Sequence, residues 1–192
     1  MAAFERIYGL KMSGSDKSSY RLKARQIRSG LTRSEKKKIN ETLNRQVLDW
    51  VNVHQPSDIA LYWPSDTEVD IRPVITSLLT AKKRVYLPSK HSEDELGLAP
   101  FEALSELKET WGRVKGGSRA CISKRVADEQ VALWLVPGLA FDQNGTRLGQ
   151  GKGIYDRLLA DAKGHKIGLA NVLLPDLPRD DWDVPMDTVF YI

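Results

Sequence analysis

The sequence predicts an α/β fold, a single domain in which a mainly parallel sheet carries helices on both faces. Candidate strands and helices alternate along the chain, which favours parallel strands joined by helical crossovers. The candidate strands are short, continuous apolar runs, as is typical of strands buried on both faces. At 192 residues, with 41% hydrophobic and 28% charged residues, the chain has the size and composition of one globular domain. We therefore expect a Rossmann-like three-layer sandwich.

The helices are predicted from apolar spacing and from capping signals. The first covers residues 32–53, where apolar side chains between Ile39 and Val51 recur at helical spacing. Thr32 and Glu35 fit a capping box at its start. Two further helices are predicted at residues 70–81 and 154–162. The first of these has a proline in its first turn.

The strands are predicted from six apolar runs, at residues 59–63, 84–87, 96–100, 131–136, 166–172 and 188–192. Pro64 and Pro88 are expected to end the first two, because proline cannot donate a ladder hydrogen bond. Between the third and fourth runs, a short helical turn is expected at 103–108. A flexible loop is expected at 112–130, which is polar, basic and contains two adjacent glycines.

Composition excludes several classes of protein. The single cysteine, Cys121, rules out an internal disulfide framework, and the three histidines are scattered without metal-ligand spacing. No apolar stretch approaches the roughly 20 residues of a membrane span. Residues 1–16 lack the apolar core of a secretory signal, and we expect them to form a mobile extension before one domain at 17–192. We expect a monomer in the cytoplasm, without a membrane partner.

A basic segment lies near the N-terminus, where residues 17–45 hold ten Lys or Arg against two acids. The whole chain has a net charge of +4. Three interpretations are open: a solvated helix face, a rim that attracts anionic substrates, and a nucleic-acid footprint. Apart from Tyr20, the segment lacks aromatic residues between its charges, so stacking on nucleic-acid bases has little support.

The most informative segment is residues 137–157, here called the glycine-rich segment. It contains five glycines, two arginines, a lysine and two aspartates after an apolar run. Glycines allow backbone N–H groups to approach an anion, and the cations add charge, so phosphate is the simplest target. The segment is neither a Walker A loop nor a dinucleotide fingerprint, since Thr146 and Ile154 occupy positions that require glycine. Composition alone leaves a purely structural tight turn as an alternative.

Residues 136–142 read VPGLAFD and residues 147–156 read RLGQGKGIYD, and together they resemble the hallmark of the 5-formyltetrahydrofolate cyclo-ligase family. The resemblance extends from Lys17 to the C-terminus and is weakest at 89–130. It implies ATP-dependent conversion of 5-formyltetrahydrofolate to 5,10-methenyltetrahydrofolate, through a phosphorylated formyl group. The implied partners are ATP and a reduced folate, with or without a polyglutamate tail, and the implied cofactor is Mg²⁺.

The resemblance also implies site residues. Those matching the family's ATP side are Lys17, Arg21, Arg147, Gly149, Gln150, Gly151, Lys152, Gly153 and Asp156, of which Lys152 and Arg147 are the catalytic candidates. Those matching the folate side are Glu68, Trp111 and Tyr155, and the candidate metal ligands are Asp156 and Asp183. The chain departs from the family pattern at Gln150, Ile154 and residues 112–116. Two alternatives follow: a divergent ATP-binding relative with another substrate, and a non-catalytic basic RNA-binding protein.

Overall fold

The computed structural model of the chain describes residues 16–90, 96–102, 107–109, 119–121 and 131–192. The predicted folate contact Trp111 lies outside the described residues, as do nearly all of the predicted N-terminal extension and most of the loop predicted at 112–130. The main sheet, its helices and the glycine-rich segment all lie within them.

The described residues contain four helices: α1 at Lys17–Gly30, α2 at Arg33–His54, α3 at Arg72–Thr80 and α4 at Ile154–Leu159. The capping box predicted at the start of α2 is confirmed, because Thr32 and Glu35 bond each other's backbone N–H groups. In the described part of the chain, no helix combines the length and the apolar character that a membrane crossing requires.

Ten strands lie in the described residues. They are β1 at Asp58–Ala60, β2 at Arg84–Lys90, β3 at Leu96–Pro100, β4 at Leu107–Glu109, β5 at Arg119–Cys121, β6 at Leu133–Pro137, β7 at Ala140–Phe141, β8 at Arg147–Leu148, β9 at His165–Leu169 and β10 at Thr188–Phe190. Six of them form the main sheet in the order β10-β9-β6-β1-β2-β3. Every neighbouring pair is parallel except β2 with β3. The predicted mainly parallel α/β architecture is confirmed.

The sheet is buried on both faces, which explains why its strands are continuous apolar runs. In β6, Leu133 and Leu135 pack in the core that contains side chains of α2 and α3. Trp134 and Val136 point the other way, into the core that contains side chains of α4. Because successive strand residues face opposite sides, both sets must be apolar when helices cover both faces.

Several local predictions are wrong. β1 ends at Ala60 rather than at Pro64, and Arg119–Cys121 form a strand inside the segment predicted as a flexible loop. Pro88 does not end β2, which continues to Lys90 and pairs Pro88 with Leu98 of β3. Proline is tolerated there because β1 pairs with β2 only as far as Tyr86, so the opposite edge of β2 needs no N–H donor. A further error concerns the helical turn predicted at 103–108, of which residues 107 and 108 lie within the described part of the chain. Leu107–Glu109 form a strand that pairs with Arg119–Cys121, a long-range contact that local propensity does not reveal.

A buried carboxylate ties β1 to β2 at the amino end of the sheet. Asp58 is 3% exposed and faces Arg84 across the parallel pair. It accepts hydrogen bonds of 2.6 and 2.5 Å from the Arg84 guanidinium and one of 2.8 Å from the Tyr86 hydroxyl. The bonds from Arg84, with those from Ser57 and Tyr86, lower the pKa of Asp58 from 3.8 to about 2.

Replacing Asp58 with asparagine is expected to lower the free energy of unfolding at pH 7 by about 2 kcal/mol. The folded-state pKa lies below the unfolded value. The carboxylate therefore stabilises the fold fully above about pH 4, and this stabilisation is lost as the pH falls towards 2. Urea unfolding at pH 7, 4 and 3 should show the gap between variant and wild type narrowing. Asp161→Asn, at an exposed position, serves as the control, and a gap that is constant with pH would contradict the assignment.

Candidate active site

A cleft of about 380 Å³ opens beyond the carboxyl ends of β6, β1 and β2, which are adjacent in the sheet. The chain runs from β1 to β2 on one side and later returns to β6 on the other, so β1 and β6 flank a topological switch point. Ligands of open α/β sheets bind in the crevice at such points. The volume also lies in the range of small-molecule sites.

One wall of the cleft is the loop after β1, which carries Glu68. The Glu68 carboxylate accepts a hydrogen bond of 2.8 Å from the backbone N–H of Ser65. From α2, Asn40 accepts a hydrogen bond from the Asp70 N–H at 3.1 Å and Asn44 donates one to the Asp70 carbonyl at 2.9 Å. The two bonds from α2 hold the loop in place. The Glu68 side chain lines the cleft.

Two tyrosines share this part of the cleft with Glu68. The buried Tyr62 hydroxyl donates a hydrogen bond of 2.9 Å to the Val69 carbonyl. Burial, and then the negative charge of Glu68, raise the pKa of Tyr62 well above its usual range. The same two causes raise the pKa of Tyr155 well above its usual range. Both hydroxyls are therefore neutral, and Glu68 and Tyr155, predicted separately as folate contacts, lie close enough to influence each other electrostatically.

The opposite wall is the glycine-rich segment, whose first turn is organised by the buried Asp142. Its carboxylate accepts hydrogen bonds from the N–H groups of Asn144 at 2.9 Å, Thr146 at 2.8 Å and Leu177 at 3.1 Å. This aspartate satisfies the backbone of a tight turn. The turn brings β8, which begins at Arg147, back against β7.

Arg147 is the buried cation of this wall, with 8% of its surface exposed. It donates a hydrogen bond of 2.5 Å to the Asp156 carboxylate, and its guanidinium lies 5.5 Å from the centre of the Tyr155 ring. The Nε atom of Arg147 is buried without a hydrogen-bond partner in the described structure. A buried N–H that lacks an acceptor beside a cleft marks a position where a bound ligand can supply one.

The loop between β8 and α4 contains two glycines with left-handed backbone angles. Gly151 and Gly153 have φ angles of +93° and +61°, and the first is strongly disfavoured for any other residue. Arg21 of α1 supports the loop by donating a hydrogen bond of 3.0 Å to the Gly149 carbonyl. Lys152 lies exposed between the two glycines and lines the cleft.

The remaining predicted residues form an ion-pair group beside α1. Lys17 donates hydrogen bonds to Asp180, at 2.7 Å, and to Asp183. Burial alone would lower the pKa of Lys17, but the two carboxylates outweigh it and raise the pKa. Asp183 also accepts a hydrogen bond of 2.8 Å from the Asp180 N–H. Neither Lys17 nor Asp183 lines the cleft, so their proposed roles towards ATP and metal stay predictions.

The two candidate metal ligands are thus each bound to a cation, Asp156 to Arg147 and Asp183 to Lys17. The described part of the chain contains no group of three or more acidic, histidine or cysteine residues able to hold a metal ion. Mg²⁺ does not need such a group, because it binds through one or two carboxylates together with phosphates and water. Asp156, an oxygen donor that lines the cleft, fits this mode of binding.

The structure adds three cations that sequence analysis did not single out: Arg25, Arg28 and Lys36 also line the cleft. A signal for Arg28 is present in the sequence, because it follows Arg21 by seven residues and so lies on the same helix face. The basic segment therefore serves more than one purpose. Its residues at the cleft form a cationic rim, while others, such as Arg33 and Lys38, are exposed.

Fold and cleft together define a doubly wound α/β protein with a ligand site at the switch point of its sheet and a cationic, glycine-rich wall suited to phosphate. A model of the 5-formyltetrahydrofolate cyclo-ligase family matches residues 13–192. The chain belongs to this family and is an enzyme of it, as the resemblance of the glycine-rich segment predicted.

Individual relatives agree with the family assignment. A 5-formyltetrahydrofolate cyclo-ligase of Escherichia coli (strain K12) is 31% identical over 173 residues, covering 86% of this chain and 94% of the relative. The solved structure of a 5,10-methenyltetrahydrofolate synthetase from Aquifex aeolicus matches with a TM-score of 0.76 and 34% identity, over 90% of this chain and 88% of its own. A synthetase of the same name from Mycoplasma pneumoniae matches with a TM-score of 0.74 and 25% identity, over 92% and 98%.

Proposed function

We propose that this protein catalyses the ATP-dependent cyclisation of 5-formyltetrahydrofolate to 5,10-methenyltetrahydrofolate, with release of ADP and phosphate. The proposal rests on the family assignment and on a cleft that has a different chemical character on each of its two walls. Glu68 and Tyr155 supply polar groups for the folate, and the glycine-rich segment supplies cations and backbone donors for phosphate. We further propose that the enzyme acts as a cytoplasmic monomer on folates with or without a polyglutamate tail.

The reaction proceeds in two steps. The formyl oxygen on N5 attacks the γ-phosphorus of ATP, so that an O–P bond forms, the bond to ADP breaks and ADP leaves. The lone pair of N10 then attacks the activated formyl carbon and forms the second C–N bond. Phosphate departs with the C–O electron pair and N10 loses its proton. Both steps need positioning and charge neutralisation rather than a protein nucleophile.

The residues of the cleft match these needs. Arg147 and Lys152 are proposed to stabilise charge on the transferring phosphoryl group, and the N–H groups around Gly151 are proposed to add hydrogen bonds. Glu68 is an acceptor for N–H groups of the folate ring system. Tyr155, neutral because its pKa is raised by burial and by Glu68, can donate a hydrogen bond to the same ligand.

Mg²⁺ is proposed as the cofactor that accompanies ATP, and it would neutralise part of the charge on the phosphate groups. Asp156 is the residue of the cleft best suited to hold it, and Asp183 is the second proposed ligand. Each carboxylate is bound to a cation, Asp156 to Arg147 and Asp183 to Lys17. Arg147 and Lys17 therefore keep the two acids ordered and neutralised.

The proposal is tested by mixing purified protein with ATP, Mg²⁺ and 5-formyltetrahydrofolate and following the absorbance of the methenyl product. We expect product and ADP in equal amounts, and no product when ATP or Mg²⁺ is omitted. ATP binding without product would favour a divergent relative with another substrate. The departure from the family pattern at Ile154, in the cleft, would then contribute to the change of substrate. Salt-sensitive RNA binding without ATP binding would favour the non-catalytic alternative.

A further inference from the structure

Arg28 is a buried cation that the proposed reaction leaves unused. It lies on α1, is only 4% exposed, and lines the cleft. Within the described residues it makes no ion pair, although burial of an unpaired guanidinium is unfavourable. Burial lowers its pKa, and the nearby negative charge of Glu68 opposes that change.

The hydrogen bonds of Arg28 join the two walls of the cleft. Its Nε donates to the Thr67 carbonyl at 2.8 Å, and a second N–H donates to the same oxygen. Its Nη1 donates to the Gly138 carbonyl at 3.2 Å. Thr67 immediately precedes Glu68 on the folate wall, and Gly138 belongs to the glycine-rich segment of the phosphate wall. One planar guanidinium therefore spans the loop after β1 and the loop after β6.

We propose that Arg28 is a positioning residue, which fixes the separation between Glu68 and the glycine-rich segment so that the formyl oxygen meets the γ-phosphate. This inference rests on the proposed function. The rigid fork of arginine suits the task, because it holds two carbonyls at a defined spacing, whereas a lysine is a flexible point charge. The surrounding burial strengthens these bonds, because water does not compete for the carbonyls.

A double-mutant cycle between Arg28 and Glu68 tests the inference. The dissociation constant of 5-formyltetrahydrofolate is measured by calorimetry without ATP, for wild type, Arg28→Met, Glu68→Gln and the double variant. If Arg28 acts by placing Glu68, Arg28→Met should weaken folate binding about tenfold in the wild-type background. In the Glu68→Gln background, Arg28→Met should change the dissociation constant of the folate less than about twofold, because the carboxylate that Arg28 positions is already absent.

Two further variants separate positioning from general support of the fold. Asn171 donates a hydrogen bond of 2.9 Å to the same Thr67 carbonyl but makes no bond to Gly138, so Asn171→Ala should weaken folate binding much less. Arg28→Lys keeps the charge but cannot span both carbonyls. We expect it to recover thermal stability relative to Arg28→Met while kcat stays at least tenfold below wild type. The dissociation constant for ATP should be unchanged in both Arg28 variants.

The outcomes are distinguishable. Additive effects of Arg28→Met and Glu68→Gln would show that Arg28 acts independently of Glu68 and would overturn the inference. Failure of both Arg28 variants to fold, with a native Asn171→Ala, would also overturn it, because the role would then be structural. If Glu68→Gln alone leaves folate binding unchanged, the folate side of the proposed function fails instead.

Discussion

Replacing Lys152 with alanine is expected to lower the turnover of 5-formyltetrahydrofolate by about 10²-fold or more, with little change in the free energy of unfolding. Lys152 is exposed at the cleft, and its ammonium group has no hydrogen bond or ion pair within the part of the chain that the structure describes. The fold therefore does not depend on this side chain. Charge is redistributed over the phosphate oxygens during phosphoryl transfer, so the loss should lower kcat more than it raises the KM for ATP.

Steady-state kinetics of methenyl formation, with thermal unfolding in parallel, measure both parts of this expectation. Lys163→Ala is the matched control, because Lys163 is also exposed but does not line the cleft. Near-wild-type turnover of Lys152→Ala would show that Lys152 is not a catalytic residue. A large loss of stability would instead show that the ammonium group has a structural partner.

Arg147→Ala is expected to lower turnover by at least the same factor and also to lower the free energy of unfolding by about 3 kcal/mol. The reason for the second effect is the ion pair with Asp156, whose side chain is 22% exposed while that of Arg147 is 6% exposed. Removing the cation leaves a part-buried carboxylate without its partner and takes away the charge that lies over the Tyr155 ring.

Two variants accompany Arg147→Ala in urea unfolding and steady-state kinetics. Arg147→Lys keeps the charge and should recover most of the stability, but little of the turnover, because the planar guanidinium is lost. Arg179→Ala, at an exposed position outside the cleft, should change neither quantity. If Arg147→Ala proved as stable as wild type, the ion pair with Asp156 would contribute nothing to the fold.

The sheet could be predicted from the sequence because its strands are local patterns. Leu133–Pro137 and Leu96–Pro100 appear as continuous apolar runs, since both faces of the sheet are covered. The glycine-rich segment was equally visible, because close backbone approach requires particular residues at particular positions. Both features depend on a few consecutive residues.

Other features could not be predicted because they depend on pairs distant in sequence. The strand at Leu107–Glu109 exists through its pairing with Arg119–Cys121. Pro88 is tolerated inside β2 because β1 stops short of it. In each case the deciding partner lies outside the window that propensity or a proline rule considers.

For the site, the kinds of residue could be predicted from the sequence, whereas their arrangement depends on the tertiary structure. Residue types favoured phosphate as the target of the segment with Arg147 and Lys152, and the family resemblance implied that Glu68 contacts the folate. Only the fold placed Glu68 near Tyr155 and paired Lys17 with Asp183, across 166 positions of sequence. Only the fold gave Arg28 its place between the two walls. The physical reason is that charge and backbone freedom are properties of single residues, whereas burial and hydrogen-bond partners depend on packing between distant segments.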